Sequence, residues 1–177
     1  ISIYYAESLS TFANDLKESK ADGFCSVPRV LEVMYGKLED AGKRQKGITK
    51  KIYSLAWNFA NNFDVYNHGI LYGIKRKIYD KLVYSKWRAN DGGQESLIIV
   101  SGGRAIQAKI VRTLNAAKLY CYEGYGMTES SPVIAVNNPN EGINVIGTVG
   151  KPLEGTIFKI AEDGEILTKG PHVMIGY

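Results

Sequence analysis

The 177 residues carry 22 basic and 18 acidic side chains, a net charge of +4, with 45% hydrophobic and 23% charged residues. These are globular proportions that argue against disorder, and the length allows one core with a small second lobe. No apolar run approaches the roughly 18–20 residues that span a bilayer.

The opening "ISIYYAESLS" has no basic leader ahead of an apolar stretch, so no secretory signal is expected. It starts without Met inside an aromatic, β-branched run, Ile1 to Glu7, which reads as a strand of a longer protein. Ser10 is placed to cap a helix running to about Ser19, with Phe12, Ala13 and Leu16 on its apolar face. "DGFCSVP" (Asp22 to Pro28) reads as a second strand. Pro28 suits the first turn of the next helix, whose stripe is Val30, Leu31, Met34, Tyr35 and Leu38.

Residues 43–88 read as a helical insertion. Ile48, Ile52, Leu55, Ala56 and Phe59 recur at helical spacing, as do Ile70, Ile74, Ile78 and Leu82, around the polar connection "NNFDVYNHG". "SLIIVSGG" (Ser96 to Gly103) is then a strand, "AIQAKIVRTLN" a helix, and "KLYCYEGYG" a further strand. Alternating strands and helices predict an α/β fold, a parallel sheet flanked by helices. From about Ile134 short β-rich pieces alternate with Gly and Pro turns, and Asp163-Gly164 signals a hairpin. A small β-rich lobe is therefore expected near the C-terminus. The domain reading is an α/β unit over 1–133 and the start of a β-rich unit over 134–177.

Cys25 and Cys121 sit in apolar runs and read as buried, reduced thiols suited to a reducing compartment, hence the cytoplasm. Charge is uneven: residues 37–88 hold twelve Lys/Arg against four Asp/Glu. Two readings stay open there. The lysines and arginines are solvated helix faces, or they form a peripheral face for the inner, anionic side of a membrane. In the second reading Tyr72, Tyr79, Tyr84 and Trp87 interleave with Lys75, Arg76, Lys77, Lys81 and Lys86. No motif for nucleic acid accompanies the charge.

Chemistry concentrates at two strand ends, Ser101-Gly102-Gly103-Arg104 and Glu123-Gly124-Tyr125-Gly126. In a parallel sheet both fall on the carboxyl edge, where small residues admit a ligand. No Walker loop or complete dinucleotide fingerprint occurs. Tyr125 offers a stacking face, Thr128 a hydroxyl for phosphate, and Glu129 a carboxylate for Mg²⁺; a local capping role for Thr128 or Ser130 competes. His68 and His172 are isolated and receive no catalytic role.

"YEGYGMTESSPV" resembles the Tyr-Gly-x-Thr-Glu motif of the adenylate-forming superfamily of acyl-CoA synthetases, luciferases and peptide-synthetase adenylation domains. "SGGRAI", "IGTVGKPLEGTIFKI" and "GEILTKGPHVMIGY" are similar to three further motifs of that family, in the same order. "VPRVLEVMYGKL" and the helical insertion resemble its long-chain fatty acyl-CoA synthetase branch. The resemblance implies ATP and a fatty acid forming an acyl-adenylate, then transfer to coenzyme A. It implies Thr128 and Glu129 as catalytic residues, with Glu129 on Mg²⁺. Gly102, Gly103, Arg104, Glu123, Gly124, Tyr125, Gly126 and Thr128 would line the nucleotide and acyl site. Arg104 departs from the family's small residue, and whether it turns outward or reshapes the pocket stays open. The family's phosphate loop and Lys-bearing C-terminal domain have no counterpart in these residues, so the chain alone is expected to be inactive. A ligase for another carboxylic acid, or a non-catalytic nucleotide-binding or membrane-associated module, are the alternatives.

Overall fold

The structure, a computed structural model, describes residues 2–8, 10–66, 69–90, 95–138 and 144–177; His68 lies outside them. A five-stranded sheet runs in the order β1 (Gly23–Ser26), β2 (Leu97–Ser101), β3 (Leu119–Gly126), β4 (Val133–Val136), β5 (Lys151–Pro152). The first three strands are parallel, with Ser26 opposite Ser101 and Ser101 opposite Glu123; β4 and β5 add on antiparallel. A separate antiparallel hairpin pairs β6 (Ile157–Ile160) with β7 (Ile166–Lys169). This is the expected α/β fold with a small hairpin.

Helix α1 (Phe12–Ser19) precedes β1, and α2 (Pro28–Lys43) follows it with proline in its first turn. Thr11 rather than Ser10 is the N-cap residue; its hydroxyl donates to Asp15 Oδ2 at 2.8 Å. The insertion contributes α3 (Gly47–Asn61), α4 (Ile70–Tyr79), one π-helical turn (Asp80–Tyr84) and α5 (Ser85–Asn90). Helix α6 (Ala108–Ala116) joins β2 to β3.

One face of the parallel sheet presents Leu97, Ile99, Leu119 and Cys121, all buried against Leu31, Ala56, Ile110 and Leu114 from the helices. Burying each large aliphatic side chain contributes about 1.5–3 kcal/mol. The neighbouring positions Ile98 and Val100 face the opposite side, and Ile98 stays 47% exposed.

Three further expectations are corrected, and the apolar stripe of α4, expected only as helical, proves to face outward. Residues 2–6 form no strand: Ile3, Tyr4 and Tyr5 are exposed and find no strand partner among the described residues, and an unpaired strand leaves its backbone groups unsatisfied. Cys25 is exposed because its side chain shares the open face with Val100, whereas Cys121 is buried. On α4 the apolar stripe is turned outward, with Ile70, Ile74 and Ile78 exposed at 83%, 49% and 51%. Instead Tyr72 and Tyr79 pack against Phe59 at ring distances of 4.7 and 5.3 Å. The larger rings bury more apolar surface than isoleucine, so aromatic packing wins the core-facing side. The reading of the insertion's aromatics as a lipid-facing set, one of the two left open, fails for Tyr84 and Trp87, which are 0% and 3% exposed.

The basic residues of the insertion brace α6. Arg76 donates to the carbonyls of Asn115 and Ala116 at 3.0 and 3.3 Å, and Arg88 donates to Ala117 at 2.7 Å. These are the orphan carbonyls of a helix C-terminus, where positive charge is also favoured by the dipole. Buried Arg88 is held in turn by both oxygens of Asp80, at 2.6 and 3.2 Å. Two guanidinium groups thus fix the end of the helix that leads directly into β3.

Candidate functional site

The register of β1, β2 and β3 aligns three strand ends on one edge. Gly102 continues from β2, its N–H donating to Ser26 O at 3.1 Å. A side chain at Gly102 would approach only the Gly124 carbonyl, at 3.7 Å, and at Gly103 would meet open space. The two glycine-rich ends are therefore neighbours with room above them, though Gly103 has φ +83°, which strains any other residue.

Beyond β3 the chain turns sharply. Gly126 sits where a Cβ would overlap the Pro132 carbonyl oxygen, so only glycine fits. A 3₁₀ turn spans Thr128–Ser130. Ser130 is buried; its hydroxyl lies 2.8 Å from the Met127 and Pro132 carbonyls and 3.1 Å from the Met127 N–H. This serine is the internal tie of the turn, which leaves Thr128 and Glu129 exposed at its crest.

Glu129 is gripped from the other side. The Tyr177 hydroxyl donates to its Oε1 at 2.8 Å, and the Met174 N–H donates to its carbonyl at 2.9 Å. Its own backbone N–H, and then Tyr177, hold the carboxyl below the ordinary carboxylate range, while the Tyr177 hydroxyl is pushed up by the same contact. The segment after β7 thus returns to the β3 turn. His172 shapes that return, with Thr168 Oγ1 at 2.9 Å from Nε2 and Thr156 Oγ1 at 3.4 Å from Nδ1.

The remaining predicted residues divide. Tyr125 is half-buried beside Gly124. Glu123 is 7% exposed, and its Oε1 accepts the Gly147 N–H at 2.9 Å. Arg104 turns outward: its guanidinium meets Glu32 of α2 at 2.6 Å and stays 63% exposed, which settles its direction away from the glycines. So Gly102, Gly103, Gly124, Tyr125, Gly126, Thr128 and Glu129 share one edge and its turn, Glu123 faces inward, and Arg104 faces α2. The sequence assigns no role to Tyr177 and offers Ser130 only a capping one. The tyrosine closes its motif 48 residues after Glu129, and only the folded hairpin brings them together. Ser130 was weighed only as a cap, yet its position two residues before a proline in a tight turn is the available signal.

Among the described residues no group of three His, Cys, Asp or Glu side chains is poised to hold a metal. Glu129, ionised and exposed, suits a cation that keeps most of its ligands as water or phosphate, the habit of Mg²⁺.

Fold and site together define an open α/β domain whose glycine-rich strand ends and acidic turn gather at the carboxyl edge of a parallel sheet. The chain belongs to the AMP-binding enzyme family, whose profile matches residues 3–177. A long-chain-fatty-acid–CoA ligase of Mycobacterium bovis is 39% identical over 157 residues, covering 86% of this chain and 25% of its own. Long-chain-fatty-acid–CoA ligase 5 of Rattus norvegicus is 27% identical over 98% of this chain and 26% of its own. Among solved structures, a long-chain-fatty-acid–CoA ligase from Archaeoglobus fulgidus matches with TM-score 0.56 and 19% identity, over 96% of this chain and 29% of its own. The o-succinylbenzoate CoA synthetase of Bacillus subtilis, in complex with its acyl-adenylate intermediate, gives 0.54 and 17%, over 96% and 26%. These likenesses share the fold. The chain spans about a quarter of the length of the curated relatives it matches.

Proposed function

We propose that this chain is the central part of an AMP-forming long-chain fatty acid–CoA ligase. In the reaction a fatty carboxylate attacks the α-phosphorus of ATP, pyrophosphate leaves, and the thiol of coenzyme A then displaces AMP from the acyl-adenylate. The observation that carries the reading is the strand register, which sets Gly102 beside Gly124 and raises the Thr128–Glu129 turn over the same edge. The long-chain assignment is supported by what the curated relatives are named for.

In this reading Tyr125 offers its ring to adenine, and Gly102, Gly103 and Gly124 leave space for the nucleotide and the acyl carboxylate. The Thr128 hydroxyl donates to a phosphate oxygen. Glu129 would hold Mg²⁺, its carboxylate oriented by the Tyr177 hydroxyl. When bound, the metal lowers the repulsion between two anionic reactants and stabilises the leaving pyrophosphate. Ser130 and Gly126 keep the turn in place, which is the orientation that catalysis needs.

The test is ATP–pyrophosphate exchange by the intact protein with palmitate, acetate or an aromatic acid, wild type against Glu129→Gln. Palmitate-dependent exchange reduced at least a hundredfold in the variant is expected. Exchange with the other acids only would discard the long-chain branch, and none with any acid would discard the ligase. The peripheral membrane position now rests on Ile70, Ile74, Ile78 and Leu82, exposed among lysines; sedimentation with anionic liposomes tests it.

A further inference from the structure

A small cavity of about 170 Å³ lies between β3, the last turn of α6 and the helical insertion. At about 30 Å³ for each water in the liquid, it has room for a group of a few heavy atoms. Phe63 and Val65, just after α3, form its apolar side, and Arg76 of α4 stands opposite Tyr122 of β3 in its wall. None of the residues that form the wall is Asp or Glu.

The cavity is supplied with donors. Asn115 is 2% exposed, and its Oδ1 accepts the Cys121 N–H at 2.8 Å. That bond fixes which way the amide points, because only the oxygen can accept. The buried Nδ2, with two hydrogens to give, finds no acceptor among the described residues. A buried donor left unsatisfied is uncommon in a finished core. Arg76 donates from Nε and Nη2 to the carbonyls of Ala116 and Asn115, which leaves Nη1 outside both bonds. The Phe63 ring, 4.8 Å from the guanidinium, holds it in place. Tyr122 is 8% exposed, and burial first, then Tyr120 and Cys121, pushes its hydroxyl up, so it stays protonated and able to donate.

Electrostatics points the same way. The C-terminal end of α6 carries about half a negative charge, which the full positive charge of one guanidinium outweighs. A hydrophobic ligand would leave the Asn115 amide unsatisfied, and a cation would be repelled by Arg76. A small anion with several acceptor oxygens answers both groups, through the charge-assisted bonds that arginine makes best.

We propose that this cavity binds a small oxyanion, a phosphate or carboxylate group, between Arg76, the Asn115 amide and the Tyr122 hydroxyl. No residue of Ser101–Arg104 or Glu123–Glu129 lines it, so it is separate from the glycine-rich edge. An anion held there ties α4, α6 and β3 together, and β3 is the strand that ends in Glu123-Gly124-Tyr125-Gly126.

The test is equilibrium dialysis of radiolabelled orthophosphate, and separately of acetate, against the intact protein with and without an excess of a non-hydrolysable ATP analogue. Saturable binding of orthophosphate that survives the analogue is expected. Affinity should fall at least tenfold in Val65→Trp, which fills the cavity from an exposed position and touches none of the named hydrogen bonds. It should fall as far in Arg76→Gln. Because Arg76 also braces α6, circular dichroism checks that variant, and Val65→Trp carries the test if it fails to fold. Lys77→Gln, exposed on the same helix, should bind as the wild type does. Phenyl phosphate binding at least tenfold more weakly than orthophosphate would mark the free ion as the occupant, and equal binding would mark a phosphate ester. No saturable binding of either anion, binding displaced by the ATP analogue, or affinity unchanged in Val65→Trp would each overturn the proposal.

Discussion

The two glycines at the end of β3 look alike in sequence and answer to different constraints. At Gly126 any side chain collides with the Pro132 carbonyl, which is backbone and cannot swing aside, whereas at Gly124 the nearest atom is 3.5 Å away. Gly126→Ala should therefore cost about 1–3 kcal/mol, the range for forced overpacking, read as a lowered midpoint in urea. Gly124→Ala should leave that midpoint within about 0.5 kcal/mol and lower exchange activity, because only a bound ligand would occupy the space it fills.

Glu129 and the cysteines are the titratable counterparts. The folded-state value of Glu129 is depressed, so its charge persists below the ordinary carboxylate range and is lost only as pH falls through that depressed value. Tyr177→Phe removes the second of its two named causes. A carboxyl carbon NMR titration should then show Glu129 moving part of the way back up, its own backbone N–H retaining the rest. Burial pushes the Cys121 thiol up to about 12, with a smaller contribution from Glu123. Cys25 is exposed on the open sheet face. A thiol reagent at pH 8 should therefore modify one cysteine per native chain, Cys25, and reach Cys121 only on unfolding.

At the scale of elements, the strand–helix alternation was legible because β1, β2 and β3 are short, largely apolar runs that end at Gly or Pro. Within 43–88 the helices were legible and their orientation was not. Ile70, Ile74 and Ile78 make a better hydrophobic stripe on paper than Tyr72, Arg76 and Tyr79, which face inward. What decides is tertiary: Phe59 and Phe63 offer rings, and the end of α6 offers bare carbonyls that a guanidinium can satisfy. Arg76 does both, lying 4.8 Å over the Phe63 ring while donating to Asn115 and Ala116. The basic excess that suggested a lipid surface is partly this internal bracing. Arg88→Met leaves Asp80 only 22% exposed and without its closest partner, and strips a carbonyl at the end of α6. A loss of about 3 kcal/mol is expected, at the lower end for a broken buried pair because Asp80 keeps some solvent and a second cation, Lys118, 3.9 Å away. Equilibrium urea unfolding checks it, and Lys77→Met, exposed on the same insertion, should change little.

At the scale of the molecule, the candidate site is completed by contacts no local pattern announces. The edge glycines and the Thr-Glu pair were legible as motifs, but the strap from β7 to Glu129 is set by the hairpin and by His172 between two threonines. Among the described residues the assembled edge offers the exposed Glu129 carboxylate, the Thr128 hydroxyl and the Tyr125 ring. Adenylation needs a nucleophilic carboxylate aligned with the α-phosphorus, and charge on a triphosphate neutralised from several directions at once. Within these 177 residues no Ser/Thr/Gly-rich loop ending in Pro-Lys is present to wrap phosphates. Glu129 is also the sole carboxylate exposed on the turn, so a metal held there would take a single ligand from it. Both deficits act on the transition state, where misalignment costs most. The chain by itself should therefore show no palmitate-dependent exchange above the rate of its Glu129→Gln variant, while the intact protein exchanges readily. Robust exchange by the isolated chain, abolished by Glu129→Gln, would mean that this edge alone orients the triphosphate, and the assignment of phosphate binding to residues outside the chain would fall.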